Sequence, residues 1–519
     1  MGPASVFRGQ KVEVASYPSP IGGWNARDPL AAMPPTDAVK LENWFCRVGD
    51  CIVRGGCANH LTGMASAPKS LMLHSPPTGT NRMFAASNTG IYAATSAGAV
   101  GASVATSTNG YWNWVQMGVS GGHYLLAFNG TDKPLYYNGT TWVSVDGVSV
   151  PALTGVTTTL LITANVFKRR LFVIEKNKAS FWYLPVDAVG GALVEFPLGP
   201  LCSKGGYVMA MGTWTVDGGS GPDDYAVFIT SEGELIVFSG TDPGSVASWA
   251  LVGVYDLRTK PLGRKCFYKL GGDLLILTTN GVLPLSKATP ANVNFKMALT
   301  DIIYDAFTTA ARTAQALEGW EAAFYPAQNA LVINIPVSGG TVFEQFVMNT
   351  ITKGWCRFPT GWTGARAFAV FNNELYFADA TKISKAWTGT SDYGANIVAS
   401  AQSAFNYFGK KTASKEWVLT RPQLLTDGPL TFSQGLAIDF NTPAQLATAT
   451  YSVTIGARWD VGLWDASYWA AGVEVKNAWQ TPAAPMGYCA SMLLQVATNS
   501  LEVRWASIDY VFKRGGILG

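Results

Sequence analysis

Residues 171–212 read LFVIEKNKASFWYLPVDAVGGALVEFPLGPLCSKGGYVMAMG. Four short apolar runs, LFVIEK, SFWYLP, ALVEFP and YVMAMG, are parted by stretches rich in Lys, Asn, Gly and Pro. Runs of this length carrying Val, Phe, Tyr and Trp favour strands, and the breaks between them favour turns. Four such strands in succession are what one blade of a β-propeller requires.

The pattern extends in both directions. Strand pairs return around polar turns near Asn88, Gly130, Asn177, Gly233, Asn280, Asn329 and Asn372, at intervals of 42 to 56 residues. A four-stranded propeller blade has a period of roughly 40 to 50 residues. Evenly spaced strands also suit a β-sandwich or a pair of barrels, but seven turns at six comparable intervals favour a propeller of seven or eight blades. The only strong helical stretch inside it is DIIYDAFTTAARTAQALEGW, residues 301–320. After Trp387 the rhythm changes to longer strands, EWVLTRPQLL and LEVRWASIDYVFK among them. The expected fold class is therefore all-β, with a propeller over 61–390 and a sandwich-like β domain over 391–519.

An N-terminal segment, 1–60, precedes the repeats. Its core, GGWNARDPLAAMPPTDAVKLENWFCRVGDCIVRGGC, spans 22–57. Gly22 and Gly23 allow unusual backbone angles, and Asp28-Pro29 keeps the chain extended. Ala38, Leu41, Trp44 and Phe45 recur near helical spacing behind Thr36, a candidate N-cap. The reading is a loop, a short amphipathic helix and a strand around Ile52 and Val53, which together clamp a larger body and contribute strands to the C-terminal domain.

Composition narrows the functional classes. Charged residues are 14% of 519 and the formal net charge is +3, too little to argue for sequence-specific nucleic-acid binding. No run reaches the roughly 18 apolar residues of a membrane span, and no secretory signal is visible. Seven Cys form no disulfide framework, which fits folding in a reducing cytoplasm.

Motifs for catalysis are thin. Gly118-Val119-Ser120-Gly121-Gly122 matches the hydrolase elbow G-x-S-x-G, but strands on both sides replace the strand–turn–helix that motif needs. Cys46, Cys51, Cys57 and His60 are zinc-competent, without a familiar ligand spacing. Asp217, Asp223 and Asp224 lack the spaced acids of a calcium loop. A sialidase-type propeller would repeat Asp-box turns, and one partial match, GTTW at 139–142, stands alone. No P-loop is present. The expectation is a non-enzymatic protein without metal or cofactor. Basic clusters at Lys168-Arg169-Arg170, Arg264-Lys265, Lys410-Lys411 with Lys415, and Lys513-Arg514 have solvated surface as their default reading.

Two stretches carry a resemblance. Gly23, Asn25, Arg27, Asp28, Met33, Asp37, Ala38, Leu41, Asn43, Phe45, Val53 and Arg54, in that order, resemble the N-terminus of short-tailed bacteriophage tail proteins of the nozzle, or tail tubular protein B, family. Residues 375–421 resemble the segment where such proteins leave their propeller. The resemblance implies a structural protein of the virion tail, assembled in the host cytoplasm as a homohexameric ring beneath the portal and its adaptor, with tail fibres or spikes as further neighbours. Double-stranded DNA would pass through its lumen without sequence specificity, and the protein would not itself insert into a membrane. It would retain the packaged genome and open for ejection, with part of the C-terminal domain lining the lumen. Gly23, Asn25, Arg27, Asp28, Asp37, Leu41, Trp44 and Phe45 are then the expected assembly clamp, and Lys410, Lys411, Lys415 and Arg421 the candidates to face DNA or a neighbouring subunit. The competing expectation is a carbohydrate-binding propeller for host receptors, using aromatic-rich strands such as YWNWVQM and ASFWYLP.

Overall fold

The repeat read from the turns corresponds to seven groups of short, mostly antiparallel strands in the computed structural model, six of them separate small sheets and the sixth in chain order part of a ten-stranded sheet; the structure describes residues 12–217, 222–288, 295–441, 446–450, 474–476, 479–481 and 486–515. The chain divides into two compact units. One comprises Ala58–Gln345 and Trp362–Ala386; the other joins Met1–Cys57, Phe346–Gly361 and Trp387–Gly519.

The first unit is the propeller. Blade 1 holds Ser70–His74, Arg82–Ser87 and Gly90–Ala93. Blades 2, 3 and 4 have four strands each and open with Asn113–Val119, Leu161–Phe167 and Val208–Asp217. Blade 5 has three, from Phe267–Leu270 to Gly281–Pro284. Blade 6 begins with Glu321–Tyr325 and Ala330–Ser338. In blade 7, Phe368–Phe371, Glu374–Asp379 and Lys382–Ala386 are joined by Cys57–Thr62, a strand from the far end of the chain. The first strand of each blade lies against the first strand of the next, and that of blade 7 against that of blade 1.

Each blade is sandwiched between two others, so its middle strands are buried on both faces. Arg170–Glu175 is buried throughout and Glu234–Gly240 is buried as far as Phe238, which is why they read as unbroken apolar runs and not as alternations. Blade 3 meets blade 4 through aromatic rings, with Phe181 stacked on Phe228 at 4.5 Å and Phe172 on Trp249 at 6.0 Å. Burying one such ring contributes about 2–3 kcal/mol.

Two details of the sequence reading shift. The runs taken as one blade straddle two, because LFVIEK, SFWYLP and ALVEFP belong to blade 3 whereas YVMAMG opens blade 4. Similarly, the turns at Asn88 to Asn280 join second to third strands, while those at Asn329 and Asn372 join first to second. The slip follows the expected helical stretch. Blade 5 is followed not by a fourth strand but by a 3-10 turn, Asp301–Ile303, and a helix, Tyr304–Ala314, that buries Phe307, Ala311 and Ala314.

The second unit contains two sheets. In one, Lys415–Thr426 and Val503–Arg514 run antiparallel for twelve residues each, flanked by Cys51–Val53 and Trp44–Cys46. The strand Val12–Pro18 pairs along Ser507–Lys513. In the other, Asp37–Glu42 lies between Trp355–Phe358 and Ile397–Ser403, which leads on to Ala490–Thr498 and Thr431–Ile438. Burial alternates along the long strands, as one-sided packing of a sandwich demands. Phe408 forms the hub of the core, with Trp417, Tyr510, Phe512 and Tyr17 at 4.7 to 5.3 Å. The N-terminal segment is thus built into the same unit as the C-terminal strands.

The short helix expected over the Thr36 to Phe45 stretch is instead two strands, Asp37–Glu42 and Trp44–Cys46. A register shift between Ala38 and Lys40 inserts an extra residue, and Asn43 takes a left-handed φ of 57°. The bulge places Ala38 and Leu41 three apart on the buried side. The kink at Asn43 then starts a new strand with Trp44 and Phe45 inward. Together they imitate helical spacing in an extended chain.

Candidate functional site

The expected clamp residues gather in the two-ended unit. Gly23 has φ +91°, and a Cβ there would lie 2.4 Å from the Trp355 backbone nitrogen, so no side chain fits. Asn25 is buried. Its Nδ2 donates to Asp37 Oδ2 (2.8 Å) and Asp28 Oδ2 (2.9 Å), while its Oδ1 accepts from the N–H groups of Arg27 and Asp28. Arg27 Nε donates to Asp28 Oδ1 at 2.8 Å and holds that carboxyl below its usual range. Burial pushes the Asp37 carboxyl up, opposed by Asn25. Leu41 pairs with Ala401. Trp44 meets Trp505 at 5.8 Å, and Phe45 meets the edge of Trp387 at 5.2 Å. All eight serve local structure in one unit.

The centre of that unit is a residue that the spacing of motifs alone did not single out. The Arg54 side chain is 0% exposed and grips Asp392 with both ends of its fork, at 2.9 and 2.6 Å. Its Nε donates to Asn43 Oδ1, Nη1 to the Gly55 carbonyl and Nη2 to the Thr360 carbonyl, each at 2.9 Å. Asn43 in turn donates to Thr360 Oγ1 and the Val398 carbonyl. Five guanidinium donors meet five acceptors, the condition for burying such a charge. The available signal was an Arg inside the apolar run CIVRGG, which requires a carboxylate somewhere in the chain.

The basic residues expected to face DNA are mostly engaged. Lys415 is 0% exposed, and its ammonium donates to the carbonyls of Lys410 (2.9 Å), Ala413 (2.9 Å) and Tyr488 (2.8 Å). It is therefore a loop fastener, which corrects its reading as a DNA-facing group. Arg421 donates to Asp509 at 2.6 Å and lies over the Trp479 ring. Lys411 sits over Tyr407, and Lys410 is exposed. Elsewhere Lys168 pairs with Asp224, Arg169 with Asp187, Lys513 with Glu416 and Arg514 with Glu13. We expect Lys415→Met to lower the unfolding free energy of this unit by about 2–3 kcal/mol, because charge-assisted hydrogen bonds to three carbonyls are lost. DNA retention measured by filter binding should be unaffected. A stable variant with weakened DNA retention would reverse that assignment.

The remaining motifs resolve locally. Ser120 and Gly121 form the two-residue turn of a hairpin in which Val119 pairs with Gly122, so no hydrolase elbow is present. Cys46 and Cys51 face one another across a hairpin, whereas Cys57 Sγ lies 3.4 Å from Asp392 Oδ1 and His60 contacts the Ala94 carbonyl. Among the described residues no cluster of three His, Cys, Asp or Glu could hold a metal. The side chains of Asp217 and Asp223 lie outside the described residues. No helix among the described residues is long and apolar enough to cross a membrane. Of the aromatics of YWNWVQM and ASFWYLP, Trp112, Phe181 and Tyr183 are buried and Trp114 Nε1 donates to the Leu71 carbonyl, while Tyr111 and Trp182 are half-buried.

One feature of the propeller was not anticipated. Its first strands surround a cavity of about 240 Å³ lined by residues from every blade, including Leu71, Asn113, Thr163, Met211, Phe267 and Phe368. At the end where those strands begin, a recess shares Asn113, Arg264, Lys265 and Glu321 with it and adds Lys69, Tyr111, Glu318 and Arg366. Lys69, Arg264 and Arg366 each stand just before a first strand. That shared position becomes visible only once the blade register is known.

No family model matches the chain, and no curated protein matches it either. Among solved structures it is similar to BBS1N in complex with ARL6DN, at TM-score 0.41 and 12% identity over 64% of this chain and 98% of that one. It is also similar to YCF48 bound to D1 peptide, at TM-score 0.36 and 8% identity over 69% and 99%. An exo-β-1,3-galactanase from Phanerochaete chrysosporium gives TM-score 0.24 and 7% identity over 77% and 95%. Likenesses this distant carry nothing about what the chain binds or does.

Proposed function

We propose that the chain is a nozzle-type tail structural protein of a short-tailed bacteriophage. In this reading it forms a homohexameric ring below the portal and adaptor, retains the packaged DNA and opens for its ejection, with no chemistry of its own. The observation that carries the reading is the convergence of the two stretches bearing the resemblance. Asp37–Glu42 pairs with Ile397–Ser403 in one sheet, and Arg54 holds Asp392 from 338 residues away. Two distant segments that resemble one family gain weight when they build a single body. Val12 and Val14 also turn outward on the Val12–Pro18 strand, at 49% and 68% exposure, as a surface awaiting a neighbouring subunit would.

The competing glycan-binding reading needs solvent-facing rings, and the strands that suggested it bury Trp112, Phe181 and Tyr183. Mass spectrometry of purified phage particles tests the proposal. The chain should be a stoichiometric component of the particle, and a glycan array should give no signal. Its absence from particles together with selective glycan capture would overturn the reading.

A further inference from the structure

Four cations and two carboxylates line the recess at one mouth of the propeller cavity. One carboxylate is already neutralised, since Glu321 accepts from Lys265 at 2.7 Å and from the Phe368 N–H. Among the described residues, Lys69, Arg264 and Arg366 make no ion pair. Arg264 donates to the Asn129 carbonyl at 3.1 Å and Arg366 to the Gly364 carbonyl at 3.2 Å, which leaves further donors on each guanidinium. The Lys69 ammonium sits 4.7 Å from the centroid of the Tyr111 ring. Burial, with the charge of Arg366 added, lowers the Lys69 pKa. The only opposing charge left is Glu318, which is exposed.

Three half-buried cations lining one recess, with a single exposed carboxylate to offset them, are costly unless an anion completes them. Below them the cavity sets Leu71, Trp114, Met211, Phe267 and Phe368 beside Asn113, Thr163, Tyr268 and the Lys265–Glu321 pair. Aromatic and aliphatic walls that carry a few placed polar groups are the usual composition of a small-molecule site. The geometry points to a binding site for a small molecule that carries one compact oxyanion group, a phosphate monoester or a carboxylate, on an uncharged body. Lys69, Arg264 and Arg366 take the oxyanion, Tyr111 and Asn113 border it, and the body enters the cavity. Arg264 and Arg366 offer paired N–H groups suited to either anion. This site is independent of the nozzle reading.

Calorimetric titration of the full chain tests it, with inorganic phosphate, glycerol phosphate and glucuronate as probes and glycerol as the uncharged control. Phosphate and at least one of the two organic anions should bind and glycerol should not; which organic anion binds tighter assigns the oxyanion. Lys69→Gln and Arg366→Gln should each weaken binding at least tenfold. Glu318→Gln, at an exposed position where folding is not at risk, should tighten it severalfold, a gain that a purely structural role for Glu318 would not give. Absence of heat with every anion overturns the proposal. So does binding that is unchanged in all three variants, which would place the anion on surface lysines elsewhere.

Discussion

Arg54→Ala should lower the unfolding free energy of the two-ended unit by about 3–5 kcal/mol, the range for removing one partner of a buried ion pair. The loss is larger than that of the guanidinium's own bonds. It leaves the Asp392 carboxylate, at 2.6 and 2.9 Å from the missing fork, without its counter-charge, and strips a donor from Asn43 Oδ1 and from the Thr360 carbonyl. Arg54→Lys rescues little, because an ammonium has three donors and no planar fork to satisfy five acceptors. Removing Asp392 as well should recover part of the loss, since no buried carboxylate then stands alone. Denaturant unfolding followed by tryptophan fluorescence reads this directly, because Trp44 and Trp505 lie in the same unit. A loss below about 1 kcal/mol, typical of exposed pairs, would show that the hub is not what binds the two chain ends together.

Deletion of residues 22–45 has the largest expected functional effect: the truncated chain is not incorporated into particles. The deletion removes Asp37–Glu42, an interior strand whose two neighbours, Trp355–Phe358 and Ile397–Ser403, are then left facing a gap. It also removes Trp44 and Phe45 from beneath Trp505 and Trp387. The seven blades keep all their strands, including Cys57–Thr62, so limited proteolysis should yield a resistant propeller fragment. Incorporation at the wild-type level would rule out an assembly role for the segment.

The propeller was legible because blades bury their middle strands on both faces. That produces continuous apolar runs such as LFVIEK and ELIVFSG, and between them tight turns at Asn177 and Gly233, both of positive φ. What the period could not supply was the strand register, because a helix stands after blade 5 and the first and second hairpins of a blade look alike in sequence. The helix expected over Thr36 to Phe45 failed for a nameable reason, a bulge at Ala38 followed by left-handed Asn43. Of the candidate clamp, Asn25, Arg27, Asp28 and Asp37 fall into one hydrogen-bonded knot. The hub at Arg54 and Asp392 joins residues 338 apart, a pairing that no local pattern encodes. Lys415 misled because a lysine in a basic cluster looks solvated until the three carbonyls around it are seen.

The measurement that bears most directly on the nozzle account is gold labelling of an epitope-tagged copy in purified particles, with copy number from quantitative mass spectrometry. The account predicts label on the tail axis and about six copies per particle, the count of a closed cyclic ring. Label on peripheral appendages, or no chain in the particle at all, would contradict it.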